Sequence, residues 1–117
     1  MIQHSFPTRR SSDLTLADIL KIQHLLGQKP HEAGAARRQV LAGVPVDKRV
    51  VAQVPRLVIA GGLDRTVSLD EAERLAEWLG AEYEPFGAHS HFGLVAGEQS
   101  HQQVAEAIRV FLETHRL

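Results

Sequence analysis

At 117 residues the chain is the size of one small domain, enough for a single hydrophobic core. Apolar residues make up 44% and charged residues 23%, the balance of a soluble globular domain. A net charge of −1 supplies no basic footprint for nucleic acid or an anionic membrane surface. The absence of cysteine excludes a disulfide framework, a thiolate nucleophile and a cysteine metal site. The apolar runs are far too short for a membrane span, and the first residues lack the apolar core of a signal peptide. The expectation is a cytoplasmic protein with neither nucleic-acid nor membrane partner; its oligomeric state is open.

In chain order, the first feature is SFPTRRSSDL, from Ser5 to Leu14. In one reading frame this string resembles the translation of a common short-read sequencing adapter. Residues 1–14 are therefore read as a non-native N-terminal scar, expected to form no part of the core. The natural sequence is expected to enter at Thr15, as the C-terminal piece of a longer chain.

Residues 15–26 place Leu16, Ile19, Leu20, Ile22, Leu25 and Leu26 at helical spacing, with Thr15 and Asp18 positioned as a capping box. A second helical piece covers about 31–41 and ends at Gly43 and Pro45. Residues 15–53 are thus expected to be linking helices. From 56 to 60, RLVIA is a continuous apolar run between Pro55 and Gly61-Gly62, the pattern of a strand covered on both faces of a parallel sheet. An amphipathic helix follows over 68–79, with Ser68 and Glu71 as its capping box and Gly80 as a left-handed stop. A weaker strand spans 81–86. A closing helix spans 100–115, with Val104, Ala105, Ile108, Phe111 and Leu112 inward and Ser100 with Gln103 as its cap. Strand, helix, strand, helix with short connections is a βαβα unit of an α/β fold over 54–117. Two strands alone do not cover an apolar run on both faces, so the sheet is expected to continue into further strands.

Reactive groups in parallel α/β sheets gather past the carboxyl ends of the strands. Asp64 stands there after the first strand. EPFGAHSHFGLV, from Glu84 to Val95, puts His89 and His91 there after the second. Paired strands lie about 4.8 Å apart, so an acid and a histidine on neighbouring end-loops meet by side-chain reach. A carboxylate that accepts from Nδ1–H orients an imidazole and stabilises its protonated form, which is the Asp–His half of a nucleophilic triad. Each residue also has a plainer reading: Asp64 as a turn former after two glycines, His91 as a loop histidine, and His89-x-His91 as two metal ligands lacking a third nearby. His24, His31 and His115 read as solvated surface, and Arg37, Arg38, Lys48 and Arg49 as an exposed charged face.

Over 54–95 the chain resembles the last two strand–helix units of an α/β-hydrolase. Gly61, Asp64 and Val67 match a Gly-x-x-Asp-x-x-Val strand end, and His91 with Phe92 matches the histidine and following aromatic. The segment 37–54 resembles the stretch leading from the cap helices into the acid-bearing strand. The resemblance implies the order nucleophile, acid, histidine. Asp64 would be the acid and His91, in preference to His89, the base. The implied parent is an esterase- or lipase-like serine hydrolase acting on a small-molecule ester or related acyl bond, with no cofactor or metal. Acyl transfer, C–C hydrolysis and dehalogenation on the same fold, or a non-catalytic α/β binding or regulatory domain, are the alternatives. The chain departs from the family at Ser90, where Gly is usual, and at Ser68, where Pro is common. It also contains no G-x-S-x-G nucleophile elbow, so the fragment alone is expected to be inactive.

Overall fold

The computed structural model describes residues 13–28 and 33–117. Its elements are α1 (Leu16–Leu26), α2 (Ala33–Ala42), α3 (Lys48–Val51), β1 (Leu57–Gly61), α4 (Leu69–Leu79), β2 (Glu82–Phe86), a 3-10 turn (Phe92–Leu94) and α5 (Ser100–Thr114). The fold is mixed α/β: several helices around a two-stranded parallel sheet in which Leu57 stands opposite Glu82 and Gly61 opposite Phe86. Among the described residues no helix is long and apolar enough to cross a membrane.

Local chemistry explains the helix boundaries. The Thr15 hydroxyl accepts from the Asp18 amide while the Asp18 carboxylate accepts from the Thr15 amide, and Ser68 and Glu71 repeat this exchange at the start of α4. Gly80 ends α4 at φ 65°, a left-handed conformation that costs glycine least. The short α3, absent from the sequence reading, is capped by Asp47, whose carboxylate accepts from the Arg49 amide. At α5 the expected cap is replaced. Gln99, not Ser100, is the capping position, and the Ser100 hydroxyl instead donates to the Gly93 carbonyl at 2.6 Å.

Helix α4 packs against both strands and buries Ala72 and Ala76, and the Tyr83 hydroxyl of β2 donates back to the Leu69 carbonyl. Among the described residues the buried apolar ones are Ile22, Ala60, Ala72, Ala76 and Val104, a core built mainly of small side chains. The apolar run of β1 is less covered than expected. Leu57, Val58 and Ile59 are half-buried, because the sheet has only two strands among the described residues. The inward face expected on α5 shrinks similarly to Val104, leaving Ala105, Ile108 and Leu112 exposed and Phe111 half-buried.

The two outer edges of the sheet differ. The Glu82 amide donates to the Arg56 carbonyl and the Gly62 amide to the Phe86 carbonyl, so even-numbered residues of both strands bond inward and odd-numbered ones face outward. The outward backbone of β2 therefore belongs to Tyr83 and Pro85, and Pro85 has no N–H to offer, which discourages further strand pairing. On β1 the outward backbone belongs to Leu57 and Ile59, and nothing in the strand protects it.

Candidate acid–histidine site

Both functional loops leave the carboxyl ends of the parallel strands, and backbone bonds join them. The Gly62 amide donates to Phe86 O at 2.8 Å and the Leu63 amide to His89 O at 2.9 Å. The approach is so close that a Cβ on Gly61 would lie 2.5 Å from His89 O, and one on Gly62 2.3 Å from Gly87 O. Backbone has no freedom to retreat there, which accounts for the paired glycines.

Asp64 and His91 meet across this junction. His91 Nδ1 lies 2.8 Å from Asp64 Oδ2. The ionised carboxylate has only lone pairs to offer, so Nδ1–H is the donor. The other oxygen, Oδ1, accepts from the amides of Thr66 (2.7 Å) and Val67 (3.0 Å). The Asp64 side chain is only 4% exposed, whereas that of His91 is 44% exposed. Burial pushes the Asp64 carboxyl upward, but the hydrogen bond from His91 and the amides of Val67 and Thr66 together outweigh it and hold the pKa below the usual carboxylate value. The result is a fixed anion behind an accessible imidazole. Among the described residues Nε2 of His91 makes no hydrogen bond, leaving that nitrogen available to take a proton. Phe92 stands edge-on to the His91 ring at 5.3 Å.

His89 goes elsewhere. It is 6% exposed, its Nε2–H donates to the Ser100 carbonyl at 2.8 Å, and its ring tilts against Phe86. The two histidines therefore serve different partners rather than one metal, and among the described residues no three His, Asp or Glu side chains form a metal-binding group. Ser90, at the position where the resembled pattern has Gly, is buried. Its amide and hydroxyl both donate to Asp13 Oδ2, and its oxygen accepts from the Gly93 amide. That contact was not legible in the sequence. Of residues 1–14 only Asp13 and Leu14 are described; both are half-buried, so this end of the segment touches the histidine loop instead of standing clear of it. Phe6 lies outside the described residues.

The other histidines are structural or exposed. His24 is exposed beside the Gln28 amide. His101 Nδ1–H donates to Gly97 O. His115, expected in solvent, is half-buried against the Phe111 ring with Nε2 2.5 Å from Glu82 Oε2. His31 lies outside the described residues. Arg37, Arg38, Lys48 and Arg49 are exposed as expected, with Lys48 Nζ placed over the Trp78 ring. A cleft of about 440 Å³ beside the histidine loop is lined by His89 and Ser100 rather than by Asp64 or His91. Compared with known proteins, the chain matches no family model, no curated protein and no solved structure.

Proposed function

We propose that Asp64 and His91 are the acid–histidine half of a nucleophilic triad, working in a hydrolase of α/β-hydrolase type that cleaves an ester or related acyl bond of a small molecule. The observation that carries this reading is the 2.8 Å contact between a buried, doubly amide-held carboxylate and Nδ1 of an imidazole whose Nε2 makes no hydrogen bond among the described residues. Asp64 sets the tautomer and supports the imidazolium. His91 takes the proton of the attacking hydroxyl through Nε2 and returns it to the leaving group. The nucleophile and oxyanion hole belong, in this proposal, to a longer parent chain whose further strands continue the sheet beyond β1. Residues 15–53 would then be its cap-side helices and residues 1–14 foreign to it.

A plainer reading has its own support: Asp64 Oδ1 closes a turn onto Thr66 and Val67, which a non-catalytic α/β binding domain would equally require. Natural coding sequence upstream of Thr15 separates the two. The hydrolase reading expects a G-x-S-x-G elbow there, and short-chain ester hydrolysis by the full chain that falls about 10⁴-fold or more in His91→Ala and in Asp64→Asn. An upstream sequence with no nucleophile, or activity that persists in His91→Ala, contradicts it. The 117-residue chain alone should hydrolyse no simple ester above background.

A further inference from the structure

We propose that His89 is a positioning residue for His91, a clamp that sets where the second imidazole sits relative to Asp64. The inference rests on the reading of Asp64 and His91 as the acid–base pair, and adds to it the residue that holds the two loops in register.

His89 makes two tethers, one from its ring and one from its backbone. Its ring reaches forward and donates from Nε2 to the carbonyl of Ser100, the first residue of α5, at 2.8 Å. Its backbone carbonyl reaches sideways and accepts at 2.9 Å from the amide of Leu63, the residue before Asp64. Only Ser90 separates His89 from His91. One path from Asp64 to His91 therefore runs through Leu63, His89 and Ser90, with the Leu63–His89 hydrogen bond as its bridge beside the Gly62–Phe86 bond. The same segment is also held by the His89 amide on Phe86 O and by Ser90 on Asp13 and Gly93, so the ring tether is the one bond that fixes His89 to α5.

The ring chemistry favours a donor role over mere filling of space. A carbonyl only accepts, so Nε2 must carry the proton, and in the neutral ring Nδ1 is then a bare acceptor. That Nδ1 is buried and makes no hydrogen bond among the described residues. An unpaired buried acceptor is unfavourable, and an apolar side chain of similar length would avoid it. What such a side chain would forfeit is the bond to Ser100. Glutamine can restore a terminal N–H donor near the place of Nε2; methionine has nearly the same length and shape and no donor.

The test uses the full 117-residue chain, with His89→Gln and His89→Met compared against the natural residue. The readout is the ratio of Nδ1–H to Nε2–H tautomer of neutral His91 by ¹⁵N imidazole NMR, with thermal midpoints recorded alongside. His89→Met should lower that ratio at least about tenfold, as loss of one hydrogen bond to a charged group would, while His89→Gln keeps it within about twofold of the natural chain. A His89→Met chain that loses thermal stability but keeps the natural ratio overturns the proposal, since His89 is then only packing. Should His89→Met fail to fold, His89→Gln alone decides, and a ratio lost in that variant overturns it. Asp64→Asn serves as the control for the underlying pair. If the ratio in the natural chain already equals that in Asp64→Asn, the Asp64–His91 contact itself is wrong and the clamp falls with it.

Discussion

Helices α1 and α4 begin alike and end differently. Each has 11 residues, each opens with a complete capping box, and each carries an apolar stripe. Helix α4 lies on two strands and buries Ala72 and Ala76 between turns. Helix α1 buries Ile22 and the Asp18 carboxylate, which accepts from the Glu98 amide, and leaves Leu16 72% and Leu20 58% exposed. Helix α2 goes further, with Val40 and Leu41 both open to solvent. Capping chemistry decides where a helix starts; only a neighbouring layer decides whether its stripe is covered. From β1 onward the sheet covers the alanine side of α4, although Leu75 of α4 and Ile108 and Leu112 of α5 stay exposed. The part before β1 leaves most of its apolar residues open to solvent.

The contrast between the two regions is open to mutation. The largest effect is expected at the crossing of the functional loops. Gly62→Val puts a side chain where backbone already stands, and should cost about 3 kcal/mol or more in urea unfolding; a near-neutral result would mean that the loops do not meet there. Next is the one apolar anchor of α1. Ile22→Ala should cost about 2 kcal/mol or more, whereas Leu16→Ala on the same helix should stay within about 0.5 kcal/mol. Equal effects would show that α1 packs elsewhere. Removing a cap should cost about 1 kcal/mol at either helix. Ser68→Ala is expected to shift the cooperative unfolding of the sheet, and Thr15→Ala to appear chiefly as faster amide exchange within α1. The smallest change is a gain. A Cβ at Gly34 of α2 meets nothing nearer than the Arg38 side chain at 3.6 Å, so Gly34→Ala should stabilise that helix by about 0.5–1 kcal/mol, read as added helical circular dichroism.

The same distinction explains what was legible in advance. Capping boxes, the Gly80 stop and the order of strands and helices are local, and each was readable from a few adjacent residues. The Asp64–His91 contact was readable because parallel pairing of β1 with β2 makes two loop positions neighbours by geometry. Three features depend on contacts distant in sequence and left no local trace: the redirection of Ser100 from its cap to Gly93, the hold of Asp13 on Ser90, and the burial of His89. Helix α3 was hidden by its brevity, four residues with only Asp47 to announce them. For β1 the composition pointed to cover on both faces, and the two-stranded sheet supplies only part of it.

The acid–histidine site is tested most directly by the protonation of neutral His91, read from its ¹⁵N imidazole shifts above its titration in the natural chain and in Asp64→Asn. A carboxylate 2.8 Å from Nδ1 requires the proton to sit on that nitrogen. The natural chain should therefore show His91 as the Nδ1–H tautomer with Nε2 unprotonated, and Asp64→Asn should lose that preference. A His91 that carries its proton on Nε2 in the natural chain, unchanged by Asp64→Asn, would contradict the site and with it the proposed role of His91 as base.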